Sequence, residues 1–119
     1  MSGRLARFVV IGVITVWAGA TQAADSAVIR FWNLTGETIT HLSLAPAGTA
    51  NWGPDQCRND PDGRVDFDER LRITGVTSGP HDVRFTDQTG RSCIVTGIDI
   101  KPGRVFSIGK EALTHCVQQ

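Results

Sequence analysis

Three kinds of segment are missing from this chain, and each absence removes a class of function. No apolar run reaches the roughly 18 residues that a membrane-spanning helix needs, and the stretch Phe8 to Ala20 falls short of it. No basic excess exists either: Lys and Arg total 12, and so do Asp and Glu. Composition therefore offers little to neutralise a phosphate backbone, and nucleic acid is not an expected partner. The chain also has no GxSxG and no HExxH, the signatures of an elbow-borne serine nucleophile and of a helix-borne zinc. Long helical periodicity, internal repeats and low-complexity tracts are absent too.

What is there begins with a leader. Arg4 and Arg7 make a positive start, Phe8 to Ala20 supplies an apolar stretch of signal-peptide length, and TQA ends in small residues at Ala23. No arginine pair points to the twin-arginine route. Residues 1–23 are thus expected to be a signal peptide, cut near Ala23 or Ala24. The product is expected to be periplasmic or secreted, with no stable membrane association after cleavage. Removing Arg4 and Arg7 leaves ten basic against twelve acidic residues, a net charge near −2.

Residues 24–119, roughly 95 of them, suffice for a single domain with a modest core. From Ala27 onward the pattern has period two and many β-branched residues. Strands are expected at Ala27–Thr35, Thr38–Pro46, Arg70–Val76, His81–Asp87, Arg91–Ile100 and Arg104–Gly109. Six strands with short turns predict an all-β fold, a small antiparallel β-sandwich. The core is expected to take Ile29, Phe31, Ile39, Leu42, Leu44, Leu71, Ile73, Val83, Phe85, Ile94, Ile98, Val105 and Phe106. The tail KEALTHC is expected to make one helical turn. Between the second and third strands lies a long acidic loop, 47–69, rich in Gly, Pro, Asn and Asp. A connection of that length is uncommon without a purpose.

Cys57, Cys93 and Cys116 all lie in the mature chain, so an oxidising compartment pairs two and leaves one. If the strands run up and down in order, all three sulfurs gather at one pole. Cys93–Cys116 is then the first pairing to consider, with Cys57–Cys116 as the alternative.

Residues 58–69, RNDPDGRVDFDE, approach the spacing of an EF-hand calcium loop. Asp60, Asp62 and Asp66 occupy positions three, five and nine, Gly63 position six and Glu69 position twelve. The ligands would be Asp60, Asp62, the Arg64 carbonyl, Asp66 and Glu69. Arg58 stands where the first carboxylate belongs, Pro61 fills position four, and the flanks are not helical. Any affinity is therefore expected near the extracellular range of about 10⁻⁴ to 10⁻³ M. The competing account is a solvated turn-rich loop whose acids bond nearby amides and pair with Arg58, Arg64, Arg70 and Arg72.

His41, His81 and His115 show no zinc spacing, and no base is placed near a cysteine nucleophile in sequence. The expectation is not an enzyme. Trp32 alternates with Phe31, so one of the two should face away from the core. Trp52, in NWGP, is expected to plug the sandwich beneath the long loop; the alternative is an exposed aromatic for a sugar or protein partner. Asn33-Leu34-Thr35 matches a glycosylation sequon but sits within an expected strand.

The series NLTGETI at 33–39, LSLAPAG at 42–48, NWGPDQ at 51–56 and HDVRFTD at 81–87 resembles a family of small secreted proteobacterial proteins with a W-G-x-D turn motif. That resemblance implies no activity. It implies a structural role for Trp52, Gly53 and Asp55 as a rigid turn. The segment from Cys57 to Glu69 departs from the family pattern. The chain is therefore expected to be a non-enzymatic binding or structural module with an unidentified protein or small-molecule partner. Its alternative is a weak calcium-binding module, with calcium as the sole candidate cofactor.

Overall fold

The computed structural model describes residues 9–15 and 27–119. Most of the expected leader, including its cut at Ala23 or Ala24, lies outside the described residues. No described helix is long and apolar enough to cross a membrane.

The fold is all-β: two packed sheets, built from seven strands among the described residues. These are β1 (Ile29–Leu34), β2 (Ile39–Pro46), β3 (Arg70–Ile73), β4 (Gly79–Asp87), β5 (Arg91–Ile100), β6 (Val105–Gly109) and β7 (Cys116–Gln118). One sheet has the order β3-β1-β6 and the other β2-β4-β5-β7. Short 3-10 turns occupy Gln56–Asn59 and Lys110–Ala112.

Two features correct the antiparallel six-strand expectation. β1 and β6 pair in parallel, with Phe31 opposite Phe106 and Asn33 opposite Ile108. The chain can return to β1 in this direction because it crosses through the other sheet first. The tail also supplies a seventh strand, pairing Cys116–Gln118 with Arg91–Cys93. The strands therefore do not run up and down in sequence order.

Alternation buries Phe31, Leu71 and Ile73 from one sheet against Leu42, Leu44, Val83 and Phe85 from the other. Two irregularities change which residues point inward. A register shift between Ile39 and His41 lets both Ile39 and Leu42 face the core. In β5 an extra residue separates Ile98 from Val95 opposite His81 and Val83. Gly97, at φ +72°, accommodates this bulge. Cys93 and Ile100 are consequently buried, whereas Ile94 points out. Ile94 and Val105 leave the expected core as exposed residues, Ile98 and Phe106 pack at its margin, and Ile100, Ile108, Cys57 and Val65 enter it.

The loop 47–69 seals one flank of the sandwich. Gly53 N–H donates to the Leu44 carbonyl, and Val65 exchanges both backbone bonds with Ile39, so the free edge of β2 is covered. Gln56 exchanges amide bonds with the backbone of Thr74, and Asn59 Nδ2 donates to the Arg72 carbonyl on β3. The long connection thus has a physical task, closing the edges of both sheets on one side.

Candidate functional site

The outer face of the four-stranded sheet carries the groove with the most varied chemistry. His41 and Ser43 on β2 stand opposite Thr86 and Arg84 on β4, which stand opposite Ser92 and Ile94 on β5. Val117 of β7 continues the row beyond Ser92. A polar groove of about 420 Å³ is lined by His41, Asp55, Arg84, Thr86 and Ser92 among others. A more apolar one of about 590 Å³ shares Arg84 and Ser92 and is walled by Ile94, Cys116 and Val117.

Trp52 is not a plug in the core. The loop lays its half-buried ring against Arg84, whose guanidinium carbon stands 4.5 Å from the ring centroid. This cation–π contact fixes a long flexible side chain at the junction of the two grooves. Among the described residues Arg84 has no acidic partner and no side-chain hydrogen bond, so its five donors stay open to a ligand. Sequence reasoning passed over Arg84. The signal that could have found it was its alternate, outward position in HDVRFTD.

Asp55 builds one wall. Its Oδ1 accepts the N–H groups of Leu42 and Cys57, both at 3.0 Å, tying the loop to β2 and capping the 3-10 turn. Its other oxygen lies 4.0 Å from His41 Nε2, beyond hydrogen-bond reach. Ser92 Oγ bonds the Thr86 hydroxyl at 2.9 Å rather than a histidine. Serine, histidine and aspartate share this face without forming a nucleophile–base chain. The other histidines lie apart: His81 is buried with Nδ1 against the Gly79 carbonyl, and His115 meets the Thr114 hydroxyl.

The loop carboxylates are engaged locally. Asp60 Oδ2 accepts the Asp62 N–H at 2.8 Å. Asp66 Oδ1 accepts the Thr38 hydroxyl at 2.9 Å and lies 3.7 Å from Arg64 Nε. Glu69 Oε1 accepts the Asp66 N–H at 3.3 Å. A side-chain hydrogen bond with Asp66 raises the Glu69 carboxyl above its ordinary value, with partial desolvation and the charges of Asp66 and Asp60 adding to it. Among the described residues no three His, Cys, Asp or Glu side chains are grouped to hold a metal ion. Glu69 feels the charges of Asp66 and Asp60; Asp62 and Arg64 lie exposed on the turn.

Of the two cysteine pairings left open by the sequence, the structure forms Cys93–Cys116, directly opposed on β5 and β7. The three sulfurs share one end of the four-stranded sheet but not one edge. Cys57 is a free, buried thiol beside the Ile39 carbonyl on the β2 flank, the opposite edge of the same sheet. Asn33 is fully buried, donating to the Glu37 and Val65 carbonyls and accepting from Thr35, so the sequon's amide is enclosed.

No family model, curated protein or solved structure matches the chain.

Proposed function

We propose that the chain is an exported, non-enzymatic binding module of the periplasm or extracellular space, taking its partner on the outer face of the four-stranded sheet. The carrying observation is Arg84, ordered by Trp52 and lacking an acid among the described residues, where a polar groove meets an apolar one. Such a face suits a carboxylate or other small anion attached to an apolar group, the anion on Arg84 and the apolar part along Ile94 and Val117. The His41–Asp55 separation and the Ser92–Thr86 bond favour binding over acyl transfer. The disulfide is consistent with export.

A thermal-shift series with aliphatic carboxylates of rising chain length tests this. Melting should rise with decanoate, less with acetate, and not with decanol. Arg84→Gln should remove the rise. A rise that survives Arg84→Gln and Trp52→Ala together would sink the assignment. For export, the N-terminal sequence of the periplasmic product is expected to begin next to Ala23 or Ala24.

The second reading is a weak calcium loop. The raised Glu69 carboxyl favours it, since the neighbouring Asp66 and Asp60 charges are ones that a cation would relieve. Against it stand the local engagements of Asp60 and Asp66.

A further inference from the structure

The opposite face of the molecule concentrates positive charge that the overall composition conceals. In the three-stranded sheet the inward residues are Ile29, Phe31, Leu71, Ile73 and Ile108. By alternation the outward ones are Arg30 and Trp32 on β1, Arg70 and Arg72 on β3, and Val105 and Ser107 on β6. Register sets Arg30 directly opposite Arg72, and Trp32 directly opposite Arg70. Arg70 lies over the Trp32 ring, its guanidinium carbon 4.3 Å from the centroid. Arg104, whose carbonyl accepts the Arg30 N–H, adds a fourth exposed cation at the end of the strip.

None of these arginines has an acidic partner among the described residues; the ion pairs found there involve His41, Arg64, Arg91 and Lys101. Like charges directly opposite on a sheet repel, and Arg30 against Arg72 is such a pair. A bound oxyanion between them would turn this repulsion into two charge-assisted hydrogen-bonded contacts. Arg70 repeats the charge one row away, about 7 Å along the strand. The face therefore fits a linear ligand with successive anionic groups, rather than a single ion.

We infer that the β3-β1-β6 face is a binding strip for an anionic polysaccharide, with Arg30 and Arg72 clamping one sulfate or carboxylate and Arg70 the next. The shape of the strip favours this occupant over other polyanions. Trp32 has its indole N–H bonded to Asp68 at 2.9 Å and its ring capped by Arg70, so it offers no open platform for base stacking. The exposed Phe67 stands in sequence among Asp66, Asp68 and Glu69, whose charges repel an anionic bilayer. Those acids also bound the strip at one end, leaving a track rather than a broad basic plane. The strip lies on the other sheet from the Trp52–Arg84 groove and does not depend on it.

Heparin oligosaccharides are a suitable probe, titrated calorimetrically into the purified protein at several salt concentrations. Binding is expected, weakening as salt rises, with neutral dextran inert. Arg30→Gln with Arg72→Gln should lower affinity at least tenfold and reduce the slope of log K against log salt by about two. Lys101→Gln, which removes a cation already paired with Asp99, should leave both unchanged. Should the double variant fail to fold, Arg70→Gln alone is expected to weaken binding at least threefold. Three results would overturn the inference: no heat with heparin at low salt, equal loss in Lys101→Gln, or tighter binding to phosphatidylglycerol vesicles or a single-stranded oligonucleotide than to heparin.

Discussion

Asp87 closes the β4–β5 hairpin on Arg91, its carboxylate wholly buried and 3.0 Å from the Arg91 Nε. The same carboxylate accepts the backbone N–H groups of Thr89 and Arg91 and the Thr89 hydroxyl. Burial, the largest single influence, pushes this carboxyl up. The bonds from Thr89 and Arg91 together outweigh it and hold the group below its ordinary 3.8. Asp87→Ala should cost about 3 kcal/mol by urea denaturation, because it strands Arg91 and two turn amides.

The pH dependence follows from the same depressed value. Asp87 contributes its stability above pH 3.8, the unfolded value, and that contribution is lost as pH falls through the lower folded value. The stability gap between the natural protein and Asp87→Asn should therefore narrow below about pH 4. A gap of constant size down to pH 2 would contradict the assignment.

Cys57 should be chemically silent in the folded protein. Burial, then the charge and side-chain hydrogen bond of Asp55, then the Asp60 charge, push its thiol up from 9.0 to about 12. Since the thiolate is the nucleophile, a thiol reagent should find no reactive group in the native state and one after unfolding without reductant. A folded-state pKa above the unfolded one favours the fold fully below pH 9.0. This contribution should fade as pH climbs toward 12. Rapid native labelling would show that the loop does not hold Cys57 under the β2 edge.

Reducing Cys93–Cys116 should release β7. The bridge spans 23 residues of sequence, and loop-closure entropy assigns it about 3 kcal/mol or slightly more. Melting with and without reductant measures this, and amide exchange should localise the loosening to Cys116–Gln118. Uniform loosening of β2 as well would mean that the two flanks unfold as one.

Calcium titration decides the acidic loop. Asp60, Asp66 and Glu69 already have partners, so no rise in melting temperature is expected at millimolar calcium. A rise abolished by Asp62→Ala with Glu69→Ala would establish the calcium reading instead. Independently, Glu69→Gln should raise melting slightly wherever Glu69 is charged, because its carboxylate then faces the charges of Asp66 and Asp60. That gain should disappear below the raised value, where Glu69 is itself protonated.

The sandwich was legible because inward positions such as Leu71, Ile73, Val83 and Phe85 alternate with polar residues at period two. Ile94 and Ile100 show where that rule ran out: the bulge at Gly97 shifts the parity, sending the first outward and the second into the core. Val65 was hidden in a loop that looks solvated, and it is buried because it bridges Ile39 across the β2 edge. Arg84 and the arginines around Trp32 were invisible as sites because they are spread over β1, β3, β4 and the turn before β6, and composition averages them against acids elsewhere in the chain.

Strand identity, turn positions and the count of cysteines are local properties, set by side-chain alternation, by residues that break extended backbone and by compartment chemistry. Those the chain declared by itself for β1 to β6, whereas β7 exists only through its pairing with β5. Which edges meet, that β1 runs alongside β6, and which cations share a face were decided only when two sheets packed together. The reason is that a pairing is a relation between distant segments, and a single insertion or crossing changes what every subsequent side chain touches.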